Sequence, residues 1–338
     1  MNIAILSPVA WRTPPRKYGP WEQVASNIAE GLIELGEDVT LFATADSITK
    51  GKLESVCEYG YAEHPEMDPK VSECLHISHL MEQADKFDII HNHFDFLPLT
   101  WSRLIRTPMV TTIHGFSSPK ILPVYKKYDN TCHYVSISDS DRSPDLDYIA
   151  TVYNGINPSE FSFQPRPKDY LLFFGRIHPD KGTSEAIQIA KESGRKLIIS
   201  GIIQDQEYFD REIQPFINDD DIIYVGNSGP KERDQLIGEA YALLHPIRFR
   251  EPFGLSVAES MLCGTPVIAF NKGSMPELIR DGETGFLVHD IDEAVAAIKK
   301  IPLINRKFCR EYATSKFSQS KMVEGYMEVY RKALDRKS

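Results

Sequence analysis

Long hydrophobic runs are missing from this chain of 338 residues. A membrane-spanning helix needs about 18 consecutive apolar residues, and no stretch of the sequence approaches that length. The chain opens on the short apolar stretch NIAIL, and no basic region of the kind that begins a secretory signal precedes it. We therefore expect a cytoplasmic protein.

Cysteines are few and scattered, and no two of them form a CxxC pair. Their number, five, is odd, and their separations do not match the ligand spacing of a zinc finger. This usage argues against a disulfide framework and is typical of reduced thiols in a cytosol. The five are Cys57, Cys74, Cys132, Cys263 and Cys309.

An excess of basic residues is also absent. Lysine and arginine number 38 against 48 aspartates and glutamates, which gives a formal net charge of −10. This balance argues against nucleic acid as a general partner, although a local basic cleft remains compatible with phosphate binding. No GxGxxG motif follows the first apolar run, which removes the main sequence support for dinucleotide binding.

The composition that is present is that of a globular protein, with 42% hydrophobic and 25% charged residues. A chain of this length exceeds what one hydrophobic core usually serves, so we expect two domains of about 150 to 170 residues. The first pattern is an apolar run at 2–6, a loop, a helix over 21–35 that ends at Gly36, and a second run from Asp38. This order predicts a Rossmann-type α/β unit with a parallel sheet.

Three further apolar runs in the first half of the chain end in polar residues or glycine. Ligands of open α/β sheets bind outside the carboxyl ends of the strands, so polar residues at these ends predict one shared crevice. The runs are 87–93, 108–115 and 133–138, and the polar residues are His91, His93, His114 and Ser138.

The hydrophobic rhythm lapses over 154–167, where Asn, Pro, Ser and Gly are frequent, and we interpret this stretch as the interdomain linker. Six apolar runs that alternate with helical stretches follow it and predict a second, mostly parallel sheet. Helical patterns at 304–314 and 319–335 close the chain, and the last is amphipathic. The six runs are 170–175, 196–201, 221–226, 241–246, 265–270 and 285–290.

The stretch EPFGLSVAE places carboxylates at Glu251 and Glu259, on either side of a Pro-Phe-Gly turn and a predicted helix. Pro252 is tolerated in a first turn, so the helix is predicted to begin near Phe253 or Gly254. Amides at a helix start bind anions such as a diphosphate. At about 1.5 Å of rise per residue, the carboxylates lie up to about 12 Å apart on nearly one face, where each accepts hydrogen bonds from a sugar. A nucleotide sugar has this layout; the alternative is an ordinary amphipathic helix.

Several separated motifs resemble those of the retaining GT-B-fold glycosyltransferases of family four, the glycosyl transferases of group 1. FFGRIHPDKG is similar to the strand and phosphate clamp of that family, EPFGLSVAE to its paired-glutamate motif, and GSMPELIRDGETGFLV to its donor-side segment. NGINPSEF resembles its interdomain hinge, TTIHG its catalytic-histidine strand, and YGPWEQVASNIAEGLIELGEDV its first glycine loop and helix. The resemblance extends from end to end of the chain.

The resemblance implies an α/β protein with two Rossmann-like domains that face each other across a cleft. The expected boundaries are 1–157 for an acceptor-side domain, 158–316 for a nucleotide-sugar donor domain, and 317–338 for a C-terminal helix that crosses back to the first domain. It also implies transfer of a hexose from a nucleotide-diphosphate sugar with retention of configuration, without a cofactor or a metal. In the implied front-face mechanism the departing β-phosphate takes the proton of the acceptor hydroxyl.

Carried over residue by residue, the resemblance implies catalytic and donor-binding roles for five side chains. Arg176 and Lys181 would hold the diphosphate, and Glu251 would hold the hydroxyls of the donor sugar. Glu259 would take the ribose hydroxyls, and His114 would lie beside the donor sugar near its reacting face. Uridine is the base expected from its frequency in the family, which makes a UDP-sugar such as UDP-glucose the expected donor.

Backbone amides complete the implied donor site. Those of Gly19 in the first domain and of Phe253, Gly254 and Leu255 in the second would contact the phosphates. The family has two adjacent glycines in its first loop, whereas Pro20 stands at the second position here and has no N–H to donate. Gly19 alone is then left to make the contact from the first domain.

Three patterns suggest a metal site as an alternative. Short acidic turns are common, however, and the period of two in a strand places two alternate histidines on one face without any metal. We therefore expect no metal site. The patterns are Asp139-Ser-Asp141, Asp219–Asp221, and His91 with His93 and Asp95.

Function classes on the same fold remain as alternatives, namely a nucleotide-sugar epimerase, an inverting transferase and a catalytically inactive nucleotide-sugar sensor. The expected partners are the nucleotide sugar and a sugar or lipid-linked acceptor, in polysaccharide or glycoconjugate biosynthesis. One basic and aromatic loop has the residues to bind a sugar chain, a phosphate or the inner membrane surface as a peripheral contact. The same residues are equally typical of a mobile loop without a ligand. The sequence predicts neither the acceptor nor the oligomeric state. The loop residues are Trp11, Arg12, Arg16, Lys17 and Tyr18.

Overall fold

The structure is a computed structural model that describes residues 1–116 and 119–335. Every sheet pairing in it is parallel. The strands are β1 (Asn2–Leu6), β2 (Asp38–Phe42), β3 (Lys52–Glu54), β4 (Ile89–Asn92), β5 (Met109–Ile113), β6 (Cys132–Ser136), β7 (Tyr148–Thr151), β8 (Tyr170–Phe174), β9 (Lys196–Ser200), β10 (Ile222–Tyr224), β11 (Ala242–His245), β12 (Val267–Phe270) and β13 (Gly285–Val288). The helices are α1 (Pro20–Glu34), α2 (Pro69–Met81), α3 (Leu122–Tyr128), α4 (Thr183–Ser193), α5 (Gln206–Tyr208), α6 (Pro230–Glu239), α7 (Leu255–Leu262), α8 (Met275–Leu278), α9 (Ile291–Ile298), α10 (Arg306–Phe317) and α11 (Gln319–Asp335).

The chain forms two compact units, each with its own parallel sheet and core. The first unit comprises residues 1–155 and, beyond the second unit in sequence, the segment that contains α11. The second unit is the continuous stretch 156–318. The expected fold class, α/β with two Rossmann-like domains, is confirmed.

The first sheet has the strand order β3-β2-β1-β4-β5-β6-β7. Its interior strand β1 is buried from Ile3 to Leu6, which explains why the sequence there is continuously apolar rather than alternating. The order reverses direction between β1 and β4, and such a switch point is where open α/β sheets bind ligands. The segments that leave these two strands, from Ser7 and from His93, are therefore candidates for ligand contact.

The second sheet has the strand order β10-β9-β8-β11-β12-β13. Its switch point lies between β8 and β11, because the chain proceeds from β8 to one edge and then returns to the other side of β8. The carboxyl ends of β8 and β11 are followed by Lys181 and Glu251, respectively. Two residues proposed from the resemblance therefore flank the position that topology favours for a ligand.

The C-terminal helix α11 packs against α1 within the first unit. The Gln319 side chain donates a hydrogen bond of 2.7 Å to the carbonyl of Asn27. Gly31 on α1 permits a close approach of the two helices, since a Cβ there would lie 2.5 Å from Val323 Cγ2. The apolar stripe of α11 is buried, including Tyr326 and Tyr330. The expectation that the last helix belongs with the first domain thus agrees with the fold.

Two short strands, β3 and β7, did not follow from the sequence pattern. Both lie at the edges of the first sheet, and neither contains a fully buried residue. Edge strands with partly exposed faces need no apolar run, so hydrophobic patterning carries little signal for them.

Candidate functional site

The turn after β8 and the loop after β11 pack directly on each other. The backbone N–H of Arg248 donates to the carbonyl of Asp180 at 2.7 Å. Gly182 has a φ of +74°, and a Cβ at this position would overlap the carbonyl of Pro246. Only glycine therefore allows the approach, which brings the side chain of Lys181 to that of Glu251.

Lys181 and Glu251 form a buried ion pair between Nζ and Oε2. The Lys181 ammonium also lies 4.7 Å from the centroid of the Phe249 ring, and His245 Nε2 lies 3.6 Å from the same Glu251 oxygen. Burial alone would raise the pKa of Glu251, but Lys181 and His245 outweigh burial and lower this pKa to about 2. Glu251 is therefore an ionised acceptor at neutral pH. His245 was not singled out from the sequence, because only the loop that returns Glu251 beside β11 brings the two together.

The backbone around Glu251 is held by the segment that follows β12. The N–H of Ser274 donates to the carbonyl of Glu251 at 3.0 Å, and its hydroxyl donates to the carbonyl of Phe253 at 2.7 Å. Gly273, with a φ of +58°, lies against the backbone of Glu251, where a Cβ would overlap it. Two segments identified by their motifs, EPFG and GSMPE, thus form one rigid loop cluster.

The helix after this loop begins later than the sequence predicts. Helix α7 starts at Leu255 with Gly254 as its N-cap, and the φ of Gly254 is +92°. Pro252 therefore does not lie in the first turn. Glu251 precedes the helix, so the prediction that it shares a helix face with Glu259 is wrong. Among the described residues no side chain caps α7; the Val257 amide bonds to the Gly254 carbonyl at 3.0 Å, so the amides that precede it at the helix start are the ones available to an anion.

Glu259 lies within α7 and is buried. Its Oε1 is 3.2 Å from Nη1 of Arg233 on α6, and the Arg233 guanidinium lies 5.1 Å from the centroid of the Phe161 ring. Burial raises the pKa of Glu259, and Arg233 opposes that shift. Nothing in the sequence pairs these two residues, because α6 and α7 become neighbours only when both pack on the same sheet.

Arg176 lies two residues after β8 and is partly exposed. Its Nη1 donates to the side-chain oxygen of Gln204, in the loop after β9. The structure therefore brings Lys181 to Glu251 but turns the Arg176 guanidinium towards the neighbouring loop.

His114 follows β5 in the first unit, at the carboxyl edge of that sheet. Its ring stacks on Trp21, with centroids 5.4 Å apart and an interplanar angle of 20°. Its Nε2 lies 2.9 Å from Nδ1 of His93, the first residue after β4. Burial lowers the pKa of His114 to about 3, so its ring is neutral at physiological pH. Trp21 and His93 were not assigned to His114 from the sequence.

Gly19 is the N-cap of α1, with a φ of +150°. A Cβ there would lie 2.8 Å from the Cβ of Pro15 and 3.1 Å from Oε2 of Glu22. The buried Glu22 carboxyl accepts a hydrogen bond from the N–H of Trp11 at 3.3 Å, and burial raises its pKa to about 7. A carboxyl of the chain itself therefore lies at the amide end of α1, a feature that the sequence alone did not reveal.

The expectation that His91, His93 and Ser138 line one crevice with His114 is not met, because all three side chains are fully buried. His91 is fully buried under α11, where its Nδ1 lies 2.7 Å from the Tyr330 hydroxyl and its Nε2 lies 2.8 Å from Oγ1 of Thr112. Ser138 is likewise fully buried and accepts a hydrogen bond from the N–H of Asp141.

Residues of all three patterns considered as metal sites make other contacts in the fold; in the first pattern, Asp139 accepts a hydrogen bond from the Thr151 hydroxyl at 2.6 Å. Both ring nitrogens of His91 are hydrogen-bonded, and Asp95 accepts a hydrogen bond from Tyr125. The Asp219–Asp221 stretch is a tight turn whose amides bond to Asn218. Across residues 1–116 and 119–335, no group of three His, Cys, Asp or Glu side chains is arranged to hold a metal ion.

The loop between β1 and α1 is anchored at several points. The guanidinium of Arg16 lies 2.8 Å from Asp46 and 3.1 Å from Glu63, which neutralise it. The Thr13 hydroxyl bonds to that of Ser7 at 2.7 Å. In the described part of the chain, no helix has the length and hydropathy to cross a bilayer.

Two family models match this sequence. The one described as "Glycosyl transferases group 1" matches residues 159–316, and the one described as "Glycosyltransferase Family 4" matches residues 21–160. A Klebsiella pneumoniae protein, named as an uncharacterized 41.2 kDa protein in the cps region, is 34% identical over 172 residues. That match covers 49% of this chain and 47% of the relative, so it spans about half the length of each.

Solved structures share the fold over nearly the whole chain. AviGT4, a glycosyltransferase involved in avilamycin A biosynthesis, superposes with a TM-score of 0.75 at 24% identity, covering 99% of this chain and 98% of its own. The Anabaena protein HepE in complex with UDP-glucose superposes with a TM-score of 0.73 at 18% identity, covering 98% of this chain and 100% of its own. The resemblance in fold to GT-B glycosyltransferases is thereby confirmed.

Proposed function

This chain belongs to the group 1 glycosyltransferases of family four, which transfer a sugar from a nucleotide sugar, and from that premise we propose the finer reaction. In this reaction the protein moves a hexose from UDP-glucose or a related UDP-sugar to an acceptor hydroxyl with retention of configuration at the anomeric carbon. The observation that carries this proposal is the buried Lys181–Glu251 pair at the switch point of the second sheet. A charged pair at that position serves a polar ligand, since buried ion pairs contribute little to stability by themselves.

The pair provides one group for each part of a sugar diphosphate. The Lys181 ammonium has three donors, so it can retain Glu251 and also bind a phosphate oxygen. The amides at the start of α7 supply further donors for the same diphosphate. The Glu251 carboxylate, ionised at neutral pH, accepts hydrogen bonds from the sugar hydroxyls.

We propose that the transfer needs no metal ion. Lys181 neutralises the charge that develops on the departing diphosphate, and Arg176 at the same strand end joins it once its guanidinium exchanges Gln204 for a phosphate oxygen. The bond between the anomeric carbon and the diphosphate oxygen breaks as the acceptor oxygen bonds to the same face. The β-phosphate then takes the proton of the acceptor hydroxyl. Glu259, deeper in α7, binds the ribose hydroxyls.

The donor assignment has support from a structural neighbour. HepE, which shares this fold, was solved with UDP-glucose, and this makes UDP-glucose the first donor to test. A thermal-shift panel of UDP-, GDP- and ADP-sugars should show stabilisation by the UDP-sugars, because binding to the native state raises its melting temperature. Stabilisation by a GDP- or ADP-sugar alone would overturn the choice of base.

Retention and metal independence are tested in one reaction. The enzyme is incubated with UDP-glucose, EDTA and a panel of sugar acceptors, and the first-formed anomer is identified by proton NMR. We expect an α-linked product at the rate seen without EDTA. A β-linked product would place the enzyme in an inverting class. Conversion of the donor sugar without transfer would identify an epimerase, and turnover of the donor to free UDP would exclude a sensor.

For the acceptor we propose a sugar or lipid-linked hydroxyl, with a peripheral membrane contact on a basic surface formed by residues 97–106 and 119–128. These segments contain five basic residues and no acidic one, although the chain has a net charge of −10; Lys126 is paired with Asp145 at 2.8 Å, which leaves an excess of four positive charges. They are adjacent, because Arg103 donates to the carbonyl of Lys127 at 3.0 Å. Leu104, which is 76% exposed, lies beside Arg103. An exposed apolar side chain among cations favours an anionic lipid surface.

Co-sedimentation with vesicles tests this contact. The wild type should bind vesicles that contain phosphatidylglycerol and not vesicles of phosphatidylcholine alone. Arg106→Glu should weaken the affinity for these anionic vesicles at least about fivefold, since each cation near an anionic lipid surface raises the affinity by about a factor of five. Leu104→Asp should weaken it as well, whereas Leu303→Asp, at a leucine that is 81% exposed in the other unit, should not. Equal effects of the two leucine variants would contradict the proposal.

A further inference from the structure

A line of three histidines runs from the core of the first unit to its carboxyl edge. In the parallel register of β4 and β5, His91 pairs with Val110, so His91, His93, Thr112 and His114 all fall on one face. The rings of His91 and His93 lie 4.1 Å apart, and those of His93 and His114 lie 5.2 Å apart. His93 Nδ1 and His114 Nε2 are hydrogen-bonded at 2.9 Å.

The direction of this hydrogen bond follows from the other nitrogen of His93. Nε2 of His93 is buried and has no hydrogen-bond partner among the described residues. Burial lowers the pKa of both rings, so each carries one proton. If His93 accepted the bond, its proton would be on Nε2 as a buried donor without an acceptor. Orphaned buried N–H groups are rarer than unsatisfied acceptors, and we therefore assign the proton to His93 Nδ1, which donates to His114.

The assignment determines the state of His114. Its Nε2 lone pair accepts the bond from His93, and its single proton is consequently on Nδ1. A ring in this state has no free lone pair with which to act as a base. It has one N–H donor available, whose direction is set by the bond to His93 and by the stack on Trp21.

The C-terminal helix holds the inner end of the line. The Tyr330 hydroxyl bonds to Nδ1 of His91 at 2.7 Å, and the Tyr326 hydroxyl bonds to Thr112 Oγ1 at 2.7 Å. Thr112 in turn bonds to Nε2 of His91 at 2.8 Å. Hydrogen bonds at both ring nitrogens therefore set the orientation of His91, and its ring contacts that of His93.

We propose that His93 is a positioning residue, which fixes His114 as the Nδ1–H tautomer so that it presents a single hydrogen-bond donor to an oxygen of the sugar substrate. The effect of His93 on the reaction rests on the sugar transfer proposed above. The assignment of the His114 tautomer does not depend on that transfer. His93 itself touches no substrate atom. Its effect is on the orientation and donor character of the ring that does.

The kinetic test compares two substitutions of His93. His93→Asn retains an amide N–H close to the position of Nδ1, and His93→Leu fills a similar volume without a donor. We expect His93→Leu to lower kcat about 10- to 100-fold, the range for a misoriented catalytic group, with the KM of the donor little changed. His93→Asn should recover most of that loss. Equal kcat values in the two variants would overturn the positioning role.

His76→Leu is the matched control. His76 is also fully buried in the first unit, makes one hydrogen bond to the carbonyl of Ser7 at 2.8 Å, and has an unpartnered Nδ1. Its loss should lower stability while kcat stays at the wild-type value. A similar fall in kcat in His76→Leu would show that the His93 effect is only structural.

A spectroscopic test keeps the inference separate from the reaction. Long-range proton–nitrogen NMR of the histidine-labelled wild type should show His114 protonated at Nδ1 from pH 6 to pH 8. His93→Leu should shift His114 towards a mixture of tautomers, and His93→Asn should not. Protonation of His114 at Nε2 in the wild type would overturn the assignment, whether or not UDP-glucose proves to be the donor.

Discussion

At the scale of single residues, Lys181 combines two roles that can be separated. It is the counter-ion of a buried carboxylate, and in the proposed reaction it also stabilises the leaving diphosphate. Lys181→Ala should lower kcat about 10²- to 10³-fold, the usual effect of removing one group that stabilises developing charge. Steady-state kinetics at saturating UDP-glucose measure this change.

Lys191→Ala is the control for that substitution. Lys191 is an exposed lysine of the same unit whose ammonium lies 4.6 Å from the Phe216 ring, much as Lys181 lies over Phe249. Its removal should leave kcat unchanged. Wild-type kcat in Lys181→Ala would remove Lys181 from the mechanism.

The two glutamates of the EPFGLSVAE stretch are expected to act on opposite ends of the donor. Glu259→Gln should raise KM with little change in kcat, because the ribose that it binds does not change during the reaction. A charge-assisted hydrogen bond of about 1.5 to 3 kcal/mol corresponds to roughly ten- to over a hundredfold weaker binding. Glu251→Gln should instead lower kcat, because the sugar ring that it orients gains positive charge in the transition state.

Binding of free UDP distinguishes the two assignments without any turnover. Isothermal titration should show weaker UDP binding in Glu259→Gln and nearly wild-type binding in Glu251→Gln. The opposite result would mean that the two ends of the donor are reversed. Since Glu259 is paired with Arg233, the melting temperature of each variant should be recorded with its affinity, so that lost folding is not mistaken for lost binding.

At the scale of elements, the turn that carries Lys181 is defined by a glycine and by what lies beside it. Gly182 and Gly282 have nearly the same backbone conformation, with φ values of +74° and +75°. A Cβ at Gly182 would overlap the carbonyl of Pro246, whereas a Cβ at Gly282 would meet nothing within 4 Å. The pair therefore separates the cost of the left-handed conformation from the cost of the close approach.

Alanine at each position should show that difference. Gly282→Ala should cost about 1 kcal/mol of unfolding free energy, the penalty of the left-handed conformation alone. Gly182→Ala should cost at least about 2 kcal/mol more and should also lower kcat, because the displaced turn carries Lys181 away from Glu251. Urea unfolding and donor kinetics give both values. Equal costs for the two variants would show that the approach to Pro246 imposes no constraint.

At the scale of the whole molecule, one of the two units is built from two stretches of the chain that are far apart in sequence. The second unit is continuous, but the first is completed by α11, which comes last in the sequence. Removal of the chain from Gln319 onwards should therefore damage the unit that is distant in sequence and spare the adjacent one. The reason is that α11 buries Tyr326 and Tyr330 against β4, β5 and α1.

Hydrogen exchange measures this outcome by segment. In the truncated chain we expect amide protection to fall across β1, β4 and β5, while β8, β11 and β12 retain the protection they have in the full chain. A chain that lost protection equally in both units would contradict the independence of the second core.

The sequence by itself determined the fold class and most elements of the two sheets, because continuous apolar runs of strand length, separated by helical periods, have few other ways to be buried. It also determined the residue types of the candidate site, since glycines and charged residues after strands are typical of ligand loops. Edge strands β3 and β7 and the late start of α7 escaped prediction. Their positions depend on neighbouring segments, such as Ser274 against the EPFG loop, rather than on local pattern.

Only the tertiary structure decided which side chains meet. Lys181 pairs with Glu251 because Gly182 allows the loops that follow two adjacent strands to pack on each other. Glu259 pairs with Arg233 because the sheet brings α6 beside α7. The line from Tyr330 to His114 joins residues from two strands and the last helix. A hydrophobic pattern specifies which face of each element is buried, but a contact between polar side chains depends on the register and separation of elements distant in sequence, and those are set only when the cores pack.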